Sequence, residues 1–138
     1  MKRVATPALL LVALLLAGCV YYPTLEDIGG IRIRGENGRA QRMPEGLLVT
    51  MDLHSTGKYG DAIVGASSNV TKVAFLFAGP GAAVPRIEIP GAALVRFVPD
   101  GAHIVLDGFT KPVAPGDVVI VTLQLERLGQ LGVITRVE

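Results

Sequence analysis

The sequence predicts an all-β domain, an antiparallel β-sandwich of the immunoglobulin-like kind with seven to nine strands. Two observations carry that expectation. Short stretches rich in Val, Ile, Leu, Thr and Phe recur at close spacing: "IRIR" (31–34), "GLLVTMDL" (46–53), "VTKVAFLF" (70–77), "RIEI" (86–89), "ALVRFV" (93–98), "HIVL" (103–106), "VVIVTLQL" (118–125) and "GVITRV" (132–137). Between them lie "NG", "STGKYGD", "GPG", "PDG" and "APGD", which favour turns because glycine reaches positive φ and proline fixes φ. No segment sustains a helical apolar period over about ten residues. There is no internal repeat and no low-complexity tract.

The first thirty residues read differently. "MKR" supplies a positive start, "VATPALLLVALL" an apolar core, and "LLAGC" (15–19) a small-residue cleavage site ending in cysteine. The apolar stretch falls short of the roughly 20 residues that span a bilayer and contains Pro7. Residues 1–18 are therefore expected to be a lipoprotein signal peptide, with Cys19 the acceptor of diacylglycerol and, after cleavage, the new N-terminus. Residues 19–30 read as a lipidated tether, with Tyr21 and Tyr22 at the bilayer surface, where amphipathic rings are favoured. Residues 31–138 then form the folded domain. The expected location is the bacterial cell envelope, lipid-anchored and facing the periplasm. Val20 after the cysteine, rather than aspartate, favours the outer over the inner membrane under the sorting rule of enteric bacteria.

Composition removes several function classes. Cys19 is the only cysteine, which excludes an internal disulfide and a cysteine-based metal or redox site. Without Lys2 and Arg3 the mature chain holds eleven basic and twelve acidic residues. It has no basic run interleaved with aromatics, so nucleic acid is not an expected partner. "GPGAAV" (79–84) lacks the third glycine and the helix of a dinucleotide loop, and "GASSN" (65–69) lacks the context of a nucleophile elbow. A Ser-His-Asp set built on Ser67 or Ser68 has no supporting motif. "RGENGRAQR" (34–42) reads as a solvated, turn-rich loop. No catalytic residues are assigned and the protein is not expected to be an enzyme.

Larger blocks carry a family resemblance. "DAIVGASSNVTKVAF" (61–75), the turn "HSTG" (54–57) and "IEIPGAALVRFVPDGAHIVLDGFTKPVAPGDVVIVTLQLERLGQLGV" (87–133) resemble the periplasmic PCu(A)C copper-chaperone family. The resemblance implies a cupredoxin-like β-sandwich. It also implies Cu(I) held between two histidines and two methionines, for delivery to the copper centre of cytochrome oxidase. In this alignment His103 matches the second histidine, Val105 stands in place of the following methionine, and Leu76 in place of the first histidine. The loop that carries the other methionine is shortened to "FAGPGAAVP" (77–85).

The methionines are Met1, Met43 and Met51, so none follows residue 51. Cu(I) is soft and requires thioether or thiolate donors. His103 is thus expected to be a vestigial or weak ligand on a solvated strand, and no cofactor is expected. His54, in the "HSTG" turn, is the one histidine with which it could share a remade copper site. Period-2 alternation places Ala102, Ile104 and Leu106 on one face, with His103, Val105 and Asp107 on the other. On "KVAFLF" it assigns Val73, Phe75 and Phe77 to the core and Lys72, Ala74 and Leu76 outward. Leu76 and Val105 would then form an exposed apolar patch for a partner.

The functional expectation is a lipid-anchored, non-enzymatic accessory or interaction protein in copper handling or cytochrome oxidase assembly, with a degenerate copper site. Its partners would be the membrane, through the lipid, and an envelope protein such as an oxidase-assembly factor. The alternative is a working copper metallochaperone whose remade site includes His103.

Overall fold

The computed structural model describes residues 25–138, and the signal peptide, Cys19, Tyr21 and Tyr22 lie outside them. Ten strands form one sheet, β1 (Leu25–Ile28), β2 (Ile31–Arg42), β3 (Gly46–Ser55), β4 (Asp61–Ser68), β5 (Thr71–Phe77), β6 (Ile87–Ile89), β7 (Ala93–Arg96), β8 (His103–Phe109), β9 (Val118–Leu125) and β10 (Gly129–Val137). The main order is β5-β8-β3-β2-β10-β9-β4-β6, with β1 added to β2 and β7 to β3. The tight turn joining β4 to β5 brings the two ends of this order together, so the sheet curls into a nearly closed barrel. Pairing is antiparallel except between β10 and β2, which run parallel.

The all-β expectation holds, with more strand than the sequence pattern indicated. β1 uses residues read as tether: Leu25 pairs with Arg34 and Ile28 with Ile31. β4 was concealed because "DAIVGASS" mixes small and polar residues after its first four positions. "RGENGRAQR", read as a loop, is all but the first three residues of β2, with a bulge between Glu36 and Arg39 where Asn37 takes φ 53°. Its two glycines serve close packing here. A Cβ on Gly35 would collide with the Val133 side chain, and one on Gly38 with the Ile134 carbonyl.

β3 is the spine of the core. Leu47, Val49, Met51, Leu53 and Ser55 are buried while the residues between them are half-exposed, the alternation of a strand with one face inward. β9 does the same through Val119, Val121, Leu123 and Leu125, and Ile33, Ile63, Ile104, Leu106, Leu131 and Val133 close the interior. Each such aliphatic contributes roughly 1.5–3 kcal/mol through burial.

One polar side chain pins the end of this core. Asp61, 6% exposed, accepts hydrogen bonds from its neighbour Ala62 N–H (2.8 Å), Arg127 N–H (3.1 Å) and Leu128 N–H (2.9 Å). The carboxylate thereby satisfies the backbone of the β9–β10 turn, which would otherwise be left unpaired beside the core. Asp61→Ala is expected to lower unfolding free energy by about 2–4 kcal/mol, because the replacement strands several buried donors. Urea denaturation of the variant against the parent measures it.

Candidate functional site

The pairing of β5 with β8 decides what the site contains. Leu76 lies opposite Ile104, Phe75 opposite Val105, and Phe77 opposite His103. Directly opposed residues share a face. Ile104 is fully buried, so Leu76 goes inward with it, at 5% exposure. Val73 and Phe75 are 47% and 44% exposed. The faces expected for β8 hold, but those expected for β5 are exchanged: Leu76 is a core residue and the odd-numbered apolar residues face outward. The strand is apolar on both sides, and its larger side chains look like core in isolation. Its backbone edge is also covered, since the shortened loop folds back and Val84 N–H donates to the Leu76 carbonyl at 2.8 Å.

His103 is not solvated as expected. It is 9% exposed, its Nδ1 lies 2.8 Å from the Gly101 carbonyl oxygen, and its ring stacks on Phe77 with centroids 4.7 Å apart and planes 3° from parallel. Phe77 covers one side of the imidazole, and the Gly101 carbonyl engages one of its two nitrogens as an acceptor. Nε2 is the nitrogen left over.

His54 is at the end of β3 instead of in a turn, opposite Arg34 of β2 and Leu94 of β7. Its Nε2 sits 3.1 Å from the Glu36 carboxylate. Because β8 pairs with β3 only along Gly46–Val49, His103 falls level with Thr50. Four residues of strand, about 13 Å, separate that level from His54. The structure does not bring the two imidazoles together.

The described methionines do not help. Met51 is 1% exposed inside the barrel. Met43 lies on the β2–β3 turn, beside Val105 and Asp107 and level with the far end of β8 from His103. No group of three or more His, Cys, Asp or Glu residues suited to a metal occurs among the described residues. One imidazole nitrogen beside phenyl and aliphatic groups does not fit Cu(I), which needs soft donors.

The surface around Val105 is instead an apolar strip across three strands. Phe75, Val105 and Leu48 lie side by side on β5, β8 and β3. At the next level along β8, Val73 and a shallow cleft lined by Met43, Pro44, Glu45 and Val105 flank Asp107, whose carboxylate bounds the strip. Outside this region the Arg86 guanidinium is held above its ordinary range by hydrogen bonds to Glu88 and Glu126.

His103→Ala is expected to cost about 1–2 kcal/mol of stability, through loss of the ring stack and of the partner of the Gly101 carbonyl. A solvated histidine would cost almost nothing. Thermal and urea unfolding of the variant distinguish the two.

Solved structures similar to this one include PCuAC domains. The apo PCuAC domain of PmoF1 superposes with a TM-score of 0.71 at 16% identity, covering 83% of this chain and 98% of that one. The copper-bound PCuAC domain of PmoF2 gives 0.68 at 20%, covering 83% and 97%. CuI-DR1885 from Deinococcus radiodurans gives 0.62 at 20%, covering 88% and 81%. At such identities the likeness establishes the fold, which is the cupredoxin-like one the sequence blocks implied. No curated protein sequence matches the chain at a significant level. Residues 31–137 match the model of the family described as "Putative lipoprotein LpqE-like", and the chain, carrying that match over most of its length on a PCuAC-type barrel, belongs to the LpqE-like family.

Proposed function

We propose that the protein is a lipid-anchored, non-enzymatic accessory of copper handling or cytochrome oxidase assembly in the bacterial envelope. In this reading a protein-binding surface stands where PCuAC relatives bind metal. The observation that carries it is an apolar strip: Phe75 and Val105 face outward beside a histidine whose ring is stacked and whose Nδ1 is engaged. The PCuAC fold supports the copper context, since its neighbours include copper-bound domains. The lipobox ending in Cys19 and the family's lipoprotein description support anchoring in the envelope, with the periplasmic face of the outer membrane as the favoured site.

The partner surface differs from the sequence expectation because Leu76 leaves it for the core. Val105 remains in it, while Phe75 and Leu48 take the place assigned to Leu76. Burying Phe75 and Val105 against a partner is worth roughly 1.5–3 kcal/mol each, so their loss weakens association tenfold or more. Phe75→Ser with Val105→Asp is expected to keep the fold and abolish crosslinks to the envelope partner in intact cells. Leu76→Asp is expected to unfold the domain. Crosslinks that survive the double substitution would remove the strip from consideration.

Cu(I) affinity is the direct test of the site reading. Competition with a Cu(I) chelator is expected to show binding orders of magnitude weaker than in ligand-complete PCuAC domains. Tight one-to-one binding that is lost in His103→Ala would instead establish a remade metallochaperone site. Cys19→Ala is expected to block lipid incorporation and leave an unprocessed precursor, which labelled fatty acid and immunoblotting detect.

A further inference from the structure

The end of the barrel nearest the lipid carries a surface that the copper reading does not use. β1 enters at Leu25, level with Arg34 and His54, and runs to the turn at Ile28–Ile31. Tyr59 bridges to Ile31 and donates its N–H to the Gly30 carbonyl at 3.1 Å, which fixes the Lys58–Gly60 loop against that turn. Because β10 runs parallel to β2, the β9–β10 turn that Asp61 holds lies at this same end. Tyr59 and Arg127 line one cleft of about 410 Å³ there.

The chemistry of this end is that of a bilayer interface. Ile28 is 55% and Tyr59 50% exposed. Lys58 Nζ sits 5.4 Å from the centroid of the Tyr59 ring, so an apolar body and a cationic tip project together, as interfacial side chains do. Arg127 is also exposed, and neither it nor Lys58 is in an ion pair among the described residues. Of the neighbouring acids, Glu88 and Glu126 are both taken by Arg86, and Glu26 and Asp27 precede Ile28 on β1.

Tether length selects the occupant. Six peptide links separate Cys19 from Leu25, a reach of at most about 20 Å. A domain of this size has a radius of gyration near 13 Å and so a diameter of about 35 Å. Acylated at Cys19, the domain cannot swing free of the bilayer, and the end around Leu25 stays next to it.

We infer that the end of the barrel formed by the Ile28 turn, Tyr59 and the β9–β10 turn seats on the bilayer surface. Ile28 and Tyr59 enter the headgroup–acyl boundary, and Lys58 and Arg127 meet lipid phosphates. The inference rests on Cys19 acylation. The test uses the mature lipoprotein in vesicles of phosphatidylethanolamine and phosphatidylglycerol that contain bromine-labelled acyl chains. Single cysteines at Ile28→Cys, Tyr59→Cys, Val73→Cys and Val118→Cys carry a fluorophore, and the thioether at Cys19 leaves no second thiol to label.

Quenching at positions 28 and 59 is expected to exceed that at 73 and 118 at least threefold. Lys58→Glu with Arg127→Glu is expected to reduce the difference in vesicles containing phosphatidylglycerol. Equal quenching at all four positions, or stronger quenching at 73 or 118, overturns the seating while leaving the anchor intact. An unmodified Cys19 in the mass spectrum, with label on that thiol, overturns the anchor and the seating together.

Discussion

The register of β5 on β8 is the constraint on which the rest of the site depends. A strand has two faces, and a slip of one residue exchanges them completely. With Leu76 opposite Ile104, the barrel gains a buried leucine at its margin and the aromatic residues are forced outward. Phe77 then has one place to lie, flat on the His103 ring. That stack draws the imidazole out of water, and the Gly101 carbonyl meets the nitrogen that burial would otherwise leave unpartnered. A single pairing choice thus makes His103 a packed residue. It also aligns Phe75 with Val105, so the strip beside the histidine is apolar for the same reason that the histidine is covered.

Much of the fold was legible because strand periodicity and turn chemistry are local signals. The β3 and β9 alternation, the glycine-proline turns and the β8 faces all follow from residues within a few positions of one another. What was not legible depended on partners distant in sequence. "RGENGRAQR" has the composition of a loop, yet Gly35 and Gly38 are there because β10 packs too closely for a side chain. β1 is short and acquires strand form by adding to β2. "TKVAFLF" is apolar at both parities, so its inward face is settled only by β8. A buried His103 could have been suspected from Phe77 alone, but their apposition is visible only in the pairing.

On the proposed reading, fold and site have separated in this molecule. The barrel superposes on a copper-bound PCuAC domain, while His103 stacks on the phenyl ring of Phe77. Thioethers and imidazoles contribute little to a barrel's stability and can be exchanged for apolar groups without disturbing the core. Such an exchange changes what the surface attracts, from a soft cation to another apolar surface. Function is carried by the site more than by the scaffold, and here the scaffold fixes Val105 and Phe75 in place because both sit on paired strands.

The strip and the lipid-proximal end are separated along β3. Leu48 marks the level of Val105 and Phe75, and His54 the level at which β1 enters. Six residues of strand set these about 20 Å apart, and the Ile28 turn lies farther still. With Cys19 acylated as proposed, a tether shorter than the domain holds the β1 end at the bilayer, and the apolar strip is carried away from the headgroups and toward the aqueous phase. An exposed apolar strip close to the lipid would be drawn into the membrane and lost to protein partners. Placed two-thirds of a domain diameter away, it stays available to a soluble or membrane-bound partner whose own surface rises to that height, and the orientation of the domain, more than its affinity for any one group, decides what it can meet.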